Sequence, residues 1–452
     1  MSELLGQEQL DRVIDACLAV DGAGAVRASV SHSWGGLTRF ADSVIHQHVA
    51  TETDSVSVTV VTPDGRRGFA SGGVLSPEAA ARTARAALEA ARLSPPDPEF
   101  PGFAGPQDYP AYEGRYDEAT ATAGPKGRAE AVAAGLAAVG RGQRAAGSLA
   151  ASASETVIAT SEGARAYATV TSASFSAAVT GSEGGTGYDT ESNVALSALD
   201  PARRAASASA TCAAAERPGP VKPGVYEVVL QPDAVANLAY FLAFLAFDAK
   251  AYEDGQSPLC GRLGERVVSP LLTIRDDASR PGMPSLPFDG EATAKRPVDL
   301  IVDGVARNLV YDRETARRAG VSSTGHGAGI PESGPSLGVG ALAANVAIEP
   351  GTSSVEELIA GVERGLLVTR FWYTRVVDPV RTLITGMTRD GTFLIEDGQV
   401  ARSVRNLRWN ESAMDLLANC TGVGNEARSL WGSLQVPALR SSTFTCTAVT
   451  DH

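Results

Sequence analysis

Apolar residues recur along the chain in two rhythms, one helical and one alternating. Leu4, Leu10, Val13, Ile14, Cys17 and Leu18 keep helical spacing, which predicts an amphipathic helix over residues 3–20. Ala28, Val30, His32 and Trp34 then alternate with Arg27, Ser29, Ser31 and Ser33, the period of a strand. Val56, Val58 and Val60 lead into the turn sequence Thr62-Pro63-Asp64-Gly65, and Gly68-Phe69-Ala70 returns as the second arm of a hairpin. Ser76-Pro77-Glu78 opens a helix to about Leu93, with a serine N-cap, proline at the first position and an acid in the first turn.

Six prolines between residues 95 and 110 break the pattern and predict a linker without regular structure. A second unit follows. Lys126–Val139 and Pro201–Ala215 read as helices, and Glu155–Ala159 and Ala166–Val179 as strands around Ser161-Glu162-Gly163. Gly181–Gly187 reads as a flexible loop. Hairpin-then-helix thus occurs twice, at about 55–93 and 155–215, which suggests a duplicated module. Pro218, Pro220 and Pro223 mark the next boundary.

Tyr226–Leu230 has the β-branched and aromatic content of a strand. The most apolar helix of the chain follows, opened by Pro232 and Asp233 and expected over about 232–252. Val235, Leu238, Leu242 and Leu245 form one stripe, and Ala239, Phe241, Phe244 and Phe247 fill the other faces. A helix apolar all round is a buried one. Beyond it, short strand-like runs such as Pro297–Val302, Gly338–Ile348 and Thr392–Glu396 surround a helix expected over Ser354–Leu366. The reading is α+β: two smaller hairpin-plus-helix units at 1–100 and 115–220, joined by a Pro-rich linker at 101–114. A mainly β domain, curled or barrel-like, spans 221–452.

Composition narrows the function. The chain is 44% hydrophobic and 20% charged, as expected of a soluble globular protein with a large core. A net charge of −13 argues against nucleic acid or an anionic membrane as partner. No run reaches the roughly 20 residues of a membrane span, and no leader pattern is visible, which predicts a cytoplasmic protein. Cys17, Cys212, Cys260, Cys420 and Cys446 are widely spaced and form no C-x-x-C, so neither disulfides nor a cysteine zinc site is expected.

Several candidate chemistries fail on their own terms. His46 and His48 share a strand face and could hold one metal, but no acid or cysteine supports them. The loop Ser323-Thr324-Gly325-His326-Gly327-Ala328-Gly329 is followed by Pro331, Gly334 and Pro335, not by the helix that a phosphate loop needs. It reads better as a substrate-facing loop, or as one held by a structural histidine. No G-x-S-x-G serine elbow occurs, and no histidine is followed by glutamate, so no H-E-x-x-H is present. Asp276-Asp277 reads as a solvated turn, and Glu356-Glu357 as a helix N-terminus.

The run from Gln256-Ser257 through Leu259-Cys260-Gly261-Arg262-Leu263-Gly264-Glu265-Arg266-Val267-Val268-Ser269 to Asp276-Asp277 resembles the TldD/PmbA family. So do Ser323-Thr324-Gly325-His326, Ile348-Glu349-Pro350-Gly351, Gly365–Thr369, Ile395–Val400, Val423-Gly424-Asn425-Glu426 and, near the N-terminus, Arg39-Phe40-Ala41 and Asp64–Gly68. The resemblance implies a heterodimeric metallopeptidase acting on unstructured or modified peptides. Its TldD-like subunit carries zinc on an H-E-x-x-x-H helix and a late cysteine; the TldE/PmbA-like subunit lacks these. Counted back from Gly255-Gln256-Ser257 without gaps, the three helix positions fall on Tyr240, Phe241 and Leu245. The late cysteine falls near 430–433, where this chain has Trp431, with Cys420 and Cys446 flanking the place.

The resemblance therefore implies a TldE/PmbA-like, non-catalytic subunit with no cofactor of its own and zinc in its partner. Tyr, Phe and Leu leave neither the ligand pair nor the general base that zinc chemistry needs. Arg370, Trp372, Tyr373 and Arg375 are interface or chamber-lining candidates, since arginine and aromatic residues anchor interfaces. Two alternatives stand beside this reading: a stand-alone hydrolase of a peptide-like conjugate using Ser323, Thr324 and His326, and a homodimeric peptide-binding protein.

Overall fold

The computed structural model describes residues 4–328 and 340–450. Gly329, Pro331, Gly334, Pro335, the start of the Gly338–Ile348 run and His452 fall outside the described residues.

The first half contains α1 (Gln7–Leu18), β1 (Ala25–Ala41), β2 (Val44–Val61), β3 (Arg67–Gly72), α2 (Pro77–Leu93), α3 (Glu118–Ala121), α4 (Pro125–Ala137), β4 (Arg144–Thr160), β5 (Arg165–Thr180), β6 (Thr186–Asn193) and α5 (Pro201–Ala214). Ser76 caps α2 by accepting the Ala79 N–H, as its sequence predicts. The strands form one antiparallel sheet in the order β3-β2-β1-β4-β5-β6. The two expected units are thus not separate sheets: β1 and β4 pair from Arg27↔Thr160 to Phe40↔Gly147. The duplication goes further than a hairpin and a helix. Each half runs helix, three strands, helix, and the strand order mirrors about the β1–β4 seam.

One face of this sheet carries the helices. Leu10, Ile14, Ala84 and Leu88 of α1 and α2 pack on Val26, Val30, Val56 and Val58. Val132 and Ala208 of α4 and α5 pack on Phe40, Leu149 and Phe175. The other face is built of small polar residues, including Ser29, Ser31, Ser55, Ser57, Ser154 and Thr156, all half-buried.

Two connecting segments differ from expectation. The glycine-rich 181–187 stretch ends a hairpin packed tightly beneath α5. Glu216 accepts the N–H groups of Glu183 and Gly185 at 2.9 and 3.0 Å. A Cβ on Gly187 would lie 2.0 Å from the Ala208 carbonyl, so only glycine lets the helix come this close. The proline-rich segment has no helix or strand but is no free linker. Phe103 and Ala104 are buried, and Gln107 and Tyr109 both donate to the Ala292 carbonyl at 2.8 Å. It straps the first half onto the second.

The second half contains β7 (Gly224–Leu230), α6 (Pro232–Leu245), α7 (Ala249–Glu253), β8 (Ile274–Asp276), β9 (Val298–Val302), β10 (Val305–Ala306), α8 (Arg313–Ala319), β11 (Val346–Ile348), α9 (Val355–Ala360), β12 (Arg364–Asp378), β13 (Leu383–Glu396), β14 (Gln399–Ser403), β15 (Leu407–Ser412), α10 (Ala413–Ala418), β16 (Cys420–Val423), β17 (Arg428–Leu430), β18 (Leu434–Val436) and β19 (Leu439–Val449). The order β12-β7-β19-β15-β13, closed by β12–β13 pairing, makes a five-stranded barrel. Phe371, Trp409 and Phe444 fill it, with ring centroids 4.4–5.6 Å apart. A second sheet runs β10-β9-β8-β11-β18-β17. The α6 helix packs between them, against β12 on one side and β11, β17 and β18 on the other.

Both expected helices of this half end early. The apolar helix stops at Leu245, not near 252, because Asp248 turns the chain. Its carboxyl accepts the N–H groups of Lys250, Gly340 and Ala341 and caps α7. The helix begun by Ser354 keeps its capping box with Glu357 but ends at Ala360. From Gly365 to Val368 the chain pairs with β7 and β13 instead. Among the described residues, no helix is long and apolar enough to cross a membrane.

Candidate functional site

The α6 helix supplies the centre of the site. Pro232 starts it and the apolar run buries it, with two departures from an all-buried cylinder: Asn237 is half-buried and Tyr240 is 50% exposed. Its ring meets those of Phe241 and Phe244 edge-on, each at 5.5 Å, and that of Trp431 at 6.1 Å. Trp431 lies in the β17–β18 turn at φ 54°, a left-handed conformation that bulky residues rarely adopt. Such strain persists where surrounding contacts fix it. Here Arg428 holds Asp189 and the Thr190 carbonyl, and the Gly432 N–H donates to Ser192 Oγ at 2.9 Å. Trp431 Nε1 donates to Asp233 Oδ2 at 3.3 Å.

Tyr240 opens onto a cleft of about 600 Å³ between the small-residue face of the N-terminal sheet and the second sheet. Ser29, Thr156 and Ile158 come from the first; Leu286, Phe288, Lys295 and Asn345 belong to the second half. A second cleft of about 400 Å³ is lined by Tyr188, Asp233, Asn237, Arg370, Trp372 and Trp431.

The family description "PmbA/TldA metallopeptidase C-terminal domain" matches residues 223–448, and "PmbA/TldA metallopeptidase central domain" matches residues 117–217. The chain belongs to the PmbA/TldD metallopeptidase family. A metalloprotease of Methanothermobacter thermautotrophicus is 27% identical over 209 residues, 46% of this chain and 45% of that one. A "Metalloprotease TldD homolog" of Haemophilus influenzae is 31% identical over 170 residues, 37% of this chain and 34% of that one. The matched segments thus span less than half the length of these relatives. The crystal structure of TldE from Thermococcus kodakarensis covers 97% of this chain and all of that one, with a TM-score of 0.87 at 21% identity, a likeness of fold.

The metallopeptidase family implies a metal, and the residues at the expected place do not fit one. Phe241 and Leu245 are buried hydrocarbon, and the indole of Trp431 donates to Asp233. Of the four positions, only the Tyr240 phenol carries an oxygen lone pair. Among the described residues, no group of three or more His, Cys, Asp or Glu side chains could hold a metal ion. His46 and His48 are exposed on β2, and His48 Nδ1 lies 2.9 Å from Thr38 Oγ1.

The side chains of the Ser323–His326 loop are engaged within the fold, while His326, Gly327 and Ala328 border the larger cleft. His326 is 3% exposed, with Nε2 at 2.9 Å from Asp276 Oδ1 and Nδ1 at 2.9 Å from both the carbonyl and the hydroxyl of Thr324. Ser323 Oγ and Thr324 Oγ1 both donate to the Tyr311 carbonyl. Gly325 has φ +74°, and a Cβ there would lie 2.3 Å from the Ala294 carbonyl, which explains the glycine. Asp276 is no solvated turn residue: it is 0% exposed and also accepts the Asn345 N–H at 2.7 Å. Only Asp277 makes the turn, by accepting the Ser279 N–H. Four of the five cysteines are buried and poorly suited as nucleophiles: burial pushes Cys17 and Cys446 up to about 12, and Cys212 and Cys420 to about 11. Cys260 is half-buried, and its Sγ donates to the Tyr252 carbonyl at 3.2 Å.

The β12 candidates divide. Arg370 is half-buried, bound to Asp390 and laid over the Tyr188 ring at 3.8 Å, where it lines the second cleft. Trp372 and Tyr373 are 44% and 64% exposed, and Arg375 is exposed with its guanidinium 4.9 Å from the Tyr373 ring.

The acid that the residue pattern left aside is Asp233. Burial raises its pKa to about 6, while Arg370 and the Trp431 N–H pull the other way. The folded state therefore holds its proton more tightly than the unfolded chain. Its contribution to stability is greatest below pH 4 and is lost as pH rises through about 6. Asp233→Asn is expected to be more stable than the parent by about 1–3 kcal/mol at pH 8 and no more stable at pH 4, read from urea midpoints. An equal difference at both pH values would contradict this.

Proposed function

We propose that this chain is the metal-free, TldE/PmbA-like subunit of a cytoplasmic two-subunit peptidase. Its partner is a TldD-like chain that holds zinc on an H-E-x-x-x-H helix. Together they enclose a chamber for unstructured or modified peptides, including intermediates of peptide maturation. The reading is supported above all by one contact: Tyr240 and Trp431, which stand where the family pattern has metal ligands, meet as a closed aromatic pair. Phe241 and Leu245 complete the replacement. The stand-alone hydrolase loses its support because both ring nitrogens of His326 are engaged and the side chain is sealed from solvent.

Trp372, Tyr373 and Arg375 are proposed to face the partner. They are exposed, and an arginine-rich strand on a chain of net charge −13 suits an acidic partner surface. Co-expression with a TldD-like chain should give a complex on size exclusion that cleaves an unstructured peptide, while either chain alone does not. Peptide cleavage by this chain alone would sink the proposal. So would a homodimer that binds peptide and ignores the TldD-like chain.

A further inference from the structure

Among the described residues, the cleft below Tyr240 contains one ammonium without an ion-pair partner, acted on by Asp276 and Asp289 from a longer distance. Lys295 lines it, and burial lowers its pKa. Its Nζ donates to Asn345 Oδ1 at 3.1 Å, and among the described residues no carboxylate lies within ion-pair distance. Asp276 and Asp289 favour its charged form from beyond ion-pair distance, while their hydrogen bonds go to other groups. Asp276 accepts from His326 and the Asn345 N–H. Asp289 accepts the N–H groups of Glu291, Thr293 and Gly327. The other lysines differ: Lys126 and Lys250 pair with Glu130 and Asp254, and Lys222 is exposed. An ammonium has three donors, and among the described residues one is used.

The rest of the cleft is mainly apolar, with Ile158, Tyr240, Phe244, Leu286, Phe288 and Leu342 as walls. Its volume, about 600 Å³, suits a small ligand or one end of a chain. A ligand that fits has a large apolar group and one negative charge. A phosphate group fits poorly, since it is recognised by arginine forks or several N–H donors and the cleft offers a single ammonium beside Asp289.

We propose that this cleft binds the C-terminal end of a peptide. The terminal carboxylate pairs with Lys295 Nζ, and a bulky apolar last side chain lies among Ile158, Tyr240, Phe244 and Phe288. The vacated metal helix thus still forms a binding wall, and the subunit selects substrate without cutting it. The peptide nature of the ligand rests on the proposed function; the carboxylate preference rests on Lys295 alone.

The test uses the full chain, with intrinsic tryptophan fluorescence and calorimetry as readouts. The probes are N-acetyl-Ala-Ala-Phe as the free acid, the same peptide as its C-terminal amide, and 3-phenylpropionate. The acid should bind about tenfold or more tightly than the amide, as a charge-assisted contact implies. Lys295→Met should bring the acid down to the level of the amide and leave the amide unchanged. Equal binding of acid and amide to the parent chain overturns the proposal without recourse to any variant. Phenylpropionate binding as tightly as the peptide acid overturns its peptide part. Failure to form a complex with a TldD-like chain would sink the subunit assignment and leave the acid–amide comparison intact.

Discussion

Asp276→Ala is expected to destabilise the protein by about 3–5 kcal/mol, a large share of the stability of a typical domain. The reason is geometric. The carboxyl lies on β8 with no exposure, between His326 Nε2 at 2.9 Å and the Asn345 N–H at 2.7 Å. Alanine leaves both groups buried without a partner, and no water can reach them cheaply. The loop of Thr324–His326 is then released from the sheet. Asp276→Asn keeps the shape and one acceptor, so it should lose less. Urea unfolding of the two variants beside the parent checks this. If Asp276→Ala changes stability by less than about 1 kcal/mol, the burial argument is wrong.

Trp372→Ala combined with Tyr373→Ala should weaken binding to a TldD-like partner about a hundredfold or more, as expected when two anchors are removed. The rings are 44% and 64% exposed, so the isolated chain should keep its stability within about 0.5 kcal/mol. Arg370→Ala is the contrasting control. It breaks the contact with Asp390 and the stack on Tyr188, so it should lower stability of the isolated chain first. Titration calorimetry and urea unfolding on the same preparations separate the two effects. Unchanged partner affinity in the double variant would remove this surface from the interface.

Local signals were legible where the chain decides its conformation within a few residues. The Ser76-Pro77-Glu78 start of α2, the Ser354–Glu357 capping box and Pro232 at the head of α6 all hold in the structure. Helix ends were not, because distant groups set them. The α6 helix stops where Asp248 reaches Gly340 and Ala341, about ninety residues on. The α9 helix stops because Gly365–Val368 are needed to close the barrel.

The site divides the same way. The apolar or phenolic character of Tyr240, Phe241 and Leu245, at the positions where the family resemblance leads one to look for metal ligands, was readable from the sequence. That Tyr240 touches Trp431 was not, since nothing local links residues so far apart in the chain. Asp276 looked like half of an acidic turn because Asp277, its neighbour, is one; the strand register that turns the first inward is a tertiary fact. Lys295 gave no motif at all. Its meaning comes from what surrounds it: apolar walls, an amide, and two buried carboxyls, Asp276 and Asp289, that act on it from beyond ion-pair distance.

The central claim is that this chain brings no metal site to the proposed two-subunit peptidase. Metal analysis by mass spectrometry decides it, on the purified chain alone and on its complex with a TldD-like chain, each after dialysis against a weak chelator. The account predicts well under about 0.1 zinc per isolated chain and about one per heterodimer, lost when the partner's helix histidines are replaced. One tightly held zinc per isolated chain would contradict it.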